Sequence, residues 1–207
     1  MEGVTKDVHR RGADVVFDVA RRTLRAGVDF ATFYVFSTEN WFRAPKEVSY
    51  LMKLFTDYFR EKAEELKRED VKVVFLGTRE RLSDEVLATM DEVEEITAKG
   101  TKGTLGFCFN YGGHQEIADA VNKLLEQGVA VGGVTPEKIA ENIYHPEIPP
   151  VDIVVRTGGE LRLSNFMLWR AAYAELLFVD KLWPELTNED VDFVLGEYAR
   201  RNRRFGH

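Results

Sequence analysis

Apolar positions along the chain follow two rhythms, a recurrence near 3.6 residues and short unbroken apolar runs, and the sequence switches repeatedly between them. Val15, Val16, Val19, Ala20 and Leu24 recur at helical spacing within residues 8–26, and Gly27 stands where a helix would stop. Residues 30–36 are dense in aromatic and apolar side chains, which predicts a buried strand, and Ser37, Thr38, Glu39 and Asn40 form its polar exit. Val48, Leu51, Met52, Phe55, Phe59, Ala63 and Leu66 predict a long amphipathic helix over 45–67.

The same alternation continues. "VKVVFLG" predicts a second strand, and Ser83 is placed to cap a helix through Val86, Leu87, Met90, Val93 and Ile96. "TLGFCFNYGG" is a third strand with a glycine-rich exit, followed by helical stretches over 115–127 and 135–144. "PPVDIVVR" predicts a fourth strand, "SNFMLWRAA" a short helix, "AELLFVD" a fifth strand, and Val191, Val194, Leu195 and Tyr198 a last helix starting after Thr187. Strands alternating with helices predict an α/β fold, a single domain spanning 1–207 with a mainly parallel central sheet flanked by helices.

Composition narrows the partners. The 207 residues are 44% hydrophobic and 30% charged, the balance of a globular domain. A net charge of −7 means that an anionic ligand must be met by a local cluster of bases, which argues against a general nucleic-acid binder. No stretch resembles a signal peptide or a membrane span, so a cytoplasmic protein is expected. The single cysteine, Cys108, lies in a strand pattern and reads as a buried thiol.

In parallel sheets ligands bind beyond the carboxyl ends of the strands, and three exits here are polar: 37–43, 110–114 and 156–164. Arg156 and Arg162 offer planar forks of donors suited to a diphosphate, Gly158 and Gly159 permit a close backbone turn, and Ser164 is placed to cap a helix whose amides also favour an anion. Surface ion pairs with Glu160, Asp152 or Glu175 are the competing account of these arginines. Glu175, expected to face the same strand-end cleft, is a candidate ligand for Mg²⁺ shared with phosphate, or else half of an ion pair with an arginine. Ser37, Asn40, Trp41 and Arg43 are either a functional loop or a capped turn. His9 is either a contact for an anion or an exposed helical residue. No zinc-ligand spacing, Walker loop, G-x-G-x-x-G or G-x-S-x-G is present.

Taken in order, "FYVFSTENWFR", "EVSYLMKLF", "FNYGG", "VDIVVRTGGELRLSNFMLWRAAYAELLF", "WPEL" and "RRFG" resemble the cis-prenyltransferases, the undecaprenyl diphosphate synthase family, over residues 9–206. The resemblance implies Mg²⁺-dependent condensation of isopentenyl diphosphate with an allylic diphosphate, usually by a homodimer whose lipid product brings it into peripheral contact with membranes. It implies that Arg156, Arg162 and Ser164 hold the diphosphate of isopentenyl diphosphate and that Glu175 helps bind Mg²⁺. Ser37, Asn40, Trp41 and Arg43 match the loop that closes on the substrates, with Asn40 and Arg43 orienting the reacting end. His9 matches a histidine near the allylic diphosphate, while Arg204 and Gly206 match a C-terminal R-x-G that reaches a substrate site. Phe55, Phe59, Val86, Leu87 and Met90 are candidates both for the wall of an apolar product cleft and for plain core.

The family pattern begins with a strand and an M-D-G-N-x-R-W-A loop whose aspartate binds Mg²⁺, and the sequence starts after that point. A chain incomplete at its start is therefore expected. The alternative from a different class is a non-catalytic relative that binds a partner subunit or an isoprenoid. Val8, Ala44 with Pro45, His114 and Arg170 also depart from the pattern, and none of them touches the diphosphate motif.

Overall fold

The computed structural model describes residues 2–201, apart from the side chains of 2–6. Its elements in chain order are α1 (Glu2–Arg25), β1 (Phe30–Ser37), a 3-10 turn (Thr38–Phe42), α2 (Pro45–Arg68), β2 (Lys72–Leu76), α3 (Asp84–Thr97), β3 (Thr104–Tyr111), α4 (Gly113–Glu126), α5 (Pro136–Asn142), β4 (Ile153–Thr157), β5 (Glu175–Val179), a second 3-10 turn (Trp183–Glu185) and α6 (Asn188–Arg200). Every strand and all but one of the helices stand where the apolar rhythm predicts them. The described residues divide into two compact units, one of residues 29–148 and one of residues 2–28 with 149–201.

In the first unit β3 lies between β1 and β2, parallel to both, with Phe107 level with Phe33 and Phe75. Residues 105–111 of β3 are all buried, as a central parallel strand requires when both of its faces are covered. Helix α2 supplies Phe55 and Phe59 to the sheet. The Phe55 ring stacks on Phe109 at 3.9 Å, and Phe59 meets Phe107 edge-on at 4.8 Å. Phe55, Phe59, Val86 and Met90 are each at most 4% exposed, so these four are core side chains. Ser83 caps α3 as predicted, its hydroxyl accepting from the Val86 amide at 3.4 Å.

In the second unit β4 and β5 form a two-stranded parallel sheet, with Ile153 level with Glu175 and Arg156 level with Phe178. Within each unit the strands run parallel, in the α/β architecture that the sequence predicts. β3 has both of its edges taken by β1 and β2, and β4 and β5 pair with each other. Helix α1 packs on the second 3-10 turn and on α6. The Trp183 indole donates to the Gly12 carbonyl at 2.9 Å, and Arg11 Nε donates to the Pro184 carbonyl at 3.0 Å.

The helix predicted for "SNFMLWRAA" does not form. Ser164, Asn165 and Met167 have φ of 51°, 64° and 44°, in the left-handed region that a right-handed helix cannot use. The segment instead makes isolated turn bonds, Phe166 to the Leu163 carbonyl at 3.1 Å and Ala171 to the Met167 carbonyl at 2.8 Å. Met167 is fully buried and Arg170 is 3% exposed, so the turns are anchored in the interior of their unit.

The aromatic contacts of α2 give the first prediction. Phe55→Ala removes a ring in contact with Phe59, Phe75 and Phe109 and should cost about 3–5 kcal/mol. Urea unfolding should show a lowered midpoint at an unchanged slope.

Candidate functional site

The predicted residues fall into two groups, one in each unit. In unit 29–148, β1 ends at Ser37 and the chain winds into the 3-10 turn that carries Asn40 and Trp41. The Ser37 amide donates to Asn40 Oδ1 at 2.9 Å, and the Arg43 amide donates to the Asn40 carbonyl at 3.1 Å, so Asn40 closes the turn at both ends. Arg43 Nη1 reaches Glu47 Oε1 in the first turn of α2, at 2.6 Å. Ser37, Asn40 and Trp41 are half-buried and Arg43 is exposed. The capped turn is therefore present, and it leaves Arg43 facing solvent.

The exits of β1 and β3 lie at the same edge, as expected of parallel neighbours. The Trp41 indole N–H donates to Asn110 Oδ1 at 2.7 Å, and the Asn110 amide nitrogen donates to the carbonyls of Thr78 and Glu80, each at 2.8 Å. Arg81 sets its guanidinium 4.6 Å from the centre of the Trp41 ring, within cation–π range and worth about 0.5–1 kcal/mol at an exposed position. Asn110 and Arg81 are both left-handed, with φ of 51° and 64°. Neither Asn110, within the polar exit 110–114, nor Arg81 is among the residues that the sequence marks as functional. An asparagine directly before "YGG" was the available signal, because asparagine tolerates that backbone region better than most residues. For Arg81 there was none.

Next to this exit, Tyr111 Oη donates to the fully buried Glu116 at 2.5 Å, and Tyr144 Oη donates to Asp119. Burial pushes the Tyr144 phenol far above the ordinary tyrosine value, and the Asp119 hydrogen bond and the charges of Asp119, Glu116 and Glu80 push it the same way. His114 is exposed in the first turn of α4.

In the other unit Arg156 is the next-to-last residue of β4, and its Nη1 donates to Ser164 Oγ at 3.4 Å, so two of the three predicted diphosphate contacts are brought together. Gly158 and Gly159 have φ of 83° and 69°; their amides donate to the Lys181 carbonyl at 2.9 Å and the Val179 carbonyl at 3.1 Å, fastening the loop to the end of β5. Arg162 is exposed and pairs with Glu160, which realises the competing surface ion pair for this residue. Ser164 lies in a turn and caps no helix, so its hydroxyl and the two guanidinium groups are what this loop offers an anion.

Glu175 opens β5 level with Ile153, whereas Arg156 lies three residues further along, roughly 10 Å by strand rise and at the alternate position of the pleat. It therefore does not share the strand end of Arg156, contrary to the sequence expectation. Its Oε2 accepts from Arg201 Nη1 at 2.9 Å, and the same nitrogen reaches the Leu176 carbonyl at 3.2 Å. An ion pair with an arginine is present, but the arginine is Arg201. Among the described residues no three His, Cys, Asp or Glu side chains form a metal-binding group. One carboxylate is what Mg²⁺ commonly takes from a protein when phosphates and water complete its shell, so Glu175 fits as a single ligand, with Arg201 competing for it. His9 is half-buried on α1. Arg204 and Gly206 lie outside the described residues.

The family model described as "Putative undecaprenyl diphosphate synthase" matches residues 2–206. The chain belongs to the undecaprenyl diphosphate synthase family. It is 43% identical over 203 residues to a trans,polycis-polyprenyl diphosphate synthase of Thermobifida fusca, covering 96% of this chain and 72% of the relative. Identity is also 43% over 201 residues with an isoprenyl transferase of Thermotoga maritima, covering 96% of this chain and 86% of the relative. A crystal structure of a probable undecaprenyl diphosphate synthase from Campylobacter jejuni superposes with a TM-score of 0.87 at 28% identity, covering 95% of this chain and 92% of that one. Among the described residues of this family member, no helix is long and apolar enough to cross a membrane.

The raised Tyr144 pKa sets a pH dependence. A phenol kept neutral in the folded state contributes fully below its unfolded value of about 10, and the contribution is lost as pH rises towards the higher folded value. The stability advantage of the wild type over Tyr144→Phe should hold up to about pH 10 and shrink above it, read from urea unfolding across that range.

Proposed function

We propose that the chain is a cis-prenyltransferase that elongates an allylic diphosphate with isopentenyl diphosphate to give a polyprenyl diphosphate. The observation that carries this reading is the Arg156–Ser164 contact on a loop turned by Gly158 and Gly159, with Arg162 beside them in the chain, in a chain 43% identical over 96% of its own length to a polyprenyl diphosphate synthase. Two guanidinium forks and a hydroxyl match the oxygens of one diphosphate, the anion that isopentenyl diphosphate presents.

In this reading Arg156, Arg162 and Ser164 hold isopentenyl diphosphate by its diphosphate, and Arg162 exchanges its Glu160 partner for the ligand. The carbon–oxygen bond of the allylic diphosphate breaks as the double bond of isopentenyl diphosphate attacks the allylic carbon, and a proton then leaves the adjacent carbon. Asn40 and Arg43 orient the reacting end, Ser37 and Trp41 shape the turn that bears them, and His9, Arg204 and Gly206 contribute to substrate binding. The diphosphate held by Arg156 and Arg162 is the one retained in the product, so these fixed charges position the attacking double bond while the allylic diphosphate departs. Glu175 would hold Mg²⁺, which neutralises diphosphate charge when bound. The protein acts as a homodimer in the cytoplasm and meets membranes only through its lipid product.

Incorporation of labelled isopentenyl diphosphate, with an allylic starter and Mg²⁺, tests the reading in a chain extended by the family's M-D-G-N-x-R-W-A loop, and absence of any product from it would overturn the reading. Arg156→Ala and Ser164→Ala should raise KM for isopentenyl diphosphate more than they lower kcat, Arg156→Ala by about 10- to 100-fold for loss of a charge-assisted contact and Ser164→Ala by less.

A further inference from the structure

We propose that Asn110 and Arg81 are positioning residues for the Ser37–Arg43 turn, acting on it through the Trp41 indole. The consequence for turnover rests on the prenyltransferase reading, which gives that turn its task.

The indole is gripped from three directions. Its N–H is donated to Asn110 at 2.7 Å, Phe36 meets the ring edge-on at 5.3 Å and 78°, and the Arg81 guanidinium lies 4.6 Å from its centre. Asn110 is 1% exposed, and its amide orientation is set without ambiguity. Two donor bonds to the Thr78 and Glu80 carbonyls leave its oxygen for the indole, and a flipped amide would oppose donor to donor.

Those carbonyls come within reach because the exit of β2 crosses close to the exit of β3. Gly77, at φ 145°, sits where a Cβ would collide with the Phe109 carbonyl oxygen, and the Thr78 amide donates to the Asn110 carbonyl at 3.1 Å. One asparagine therefore ties the exits of β1, β2 and β3 together, and Arg81, projecting from the β2 exit, closes over the outer face of the ring. The next residue after Trp41, Phe42, is 90% exposed, so the indole is the anchored side chain from which Asn40 and Arg43 take their places on either side.

Arg81 is the better residue to test because it is exposed and its loss leaves the core intact. In the full chain carrying ¹⁵N-labelled tryptophan, Trp41→Phe identifies the Trp41 indole resonance. Arg81→Met should shift and broaden that resonance while those of Trp169 and Trp183 stay in place. In the incorporation assay Arg81→Met should lower kcat about tenfold with KM for isopentenyl diphosphate within about twofold, and Arg81→Lys, which keeps a cation over the ring, should recover about a third or more of the rate.

Because both residues act through one contact, Arg81→Met combined with Trp41→Phe should be about as slow as Trp41→Phe alone. An unchanged Trp41 resonance in Arg81→Met, or multiplicative losses in the double variant, overturns the proposal. If the wild type extended by the family's M-D-G-N-x-R-W-A loop makes no product, the prenyltransferase reading fails, and the indole resonance still decides whether Arg81 positions the turn.

Discussion

The central parallel strand β3 is the constraint on which unit 29–148 depends. With β1 on one edge, β2 on the other and aromatic side chains of α2 over it, it has no route to solvent between Leu105 and Tyr111. Every backbone group along it must be paired inside the fold, and every side chain must fit a filled space. Where such a strand ends, the chain has to change direction without leaving a polar group unmet. Asn110 does this with a left-handed backbone and a side chain that satisfies one donor and two acceptors from the neighbouring exits. The edge where function is expected is thus an outcome of terminating the core.

Unit 2–28 with 149–201 solves a different problem. Its two-stranded sheet is a small scaffold, and its charged side chains remain largely at the surface, where pairing is worth little. Arg162 with Glu160 and Arg201 with Glu175 balance charge without deep burial. That suits a binding role. Guanidinium groups already near carboxylates lose little by exchanging one oxyanion for another, whereas a buried pair would resist the exchange. In a chain of net charge −7 any attraction for an anion has to be built locally, and under the proposed function Arg156 and Arg162 of the 156–164 loop would supply it.

The sequence was legible where burial and periodicity agree. The Phe55 and Phe59 stripe, the Ser83 cap and the unbroken apolar run of β3 each state in local terms what the packing then uses. It misled at residues 164–172, where an apolar spacing compatible with a helix belongs to a segment of turns anchored by Met167 and Arg170. It also misled at Glu175, because nearness to a strand end depends on register with β4, and register is a property of the pair of strands. The ion pair of Glu175 with Arg201 spans 26 residues and could not be read from spacing. The donor forks of Arg156 and Arg162 suggested an anion from residue chemistry alone, and resemblance to the family is what assigned that anion as the diphosphate of isopentenyl diphosphate.

Arg81 and Asn110 escaped notice for a shared reason. Each acts from a backbone conformation that L-residues seldom adopt, so each is placed by its neighbours and not by its own propensity. Gly77 is the neighbour that matters: only a residue without a Cβ lets the β2 exit pass against the Phe109 carbonyl, and that crossing brings the Thr78 and Glu80 carbonyls to Asn110. A glycine that looks like ordinary punctuation after β2 therefore helps determine where an indole sits on the exit of β1, on the far side of β3. The Trp41 turn inherits its geometry from a contact between two other strands, which is why its own seven residues, though recognisable, do not explain how it is held.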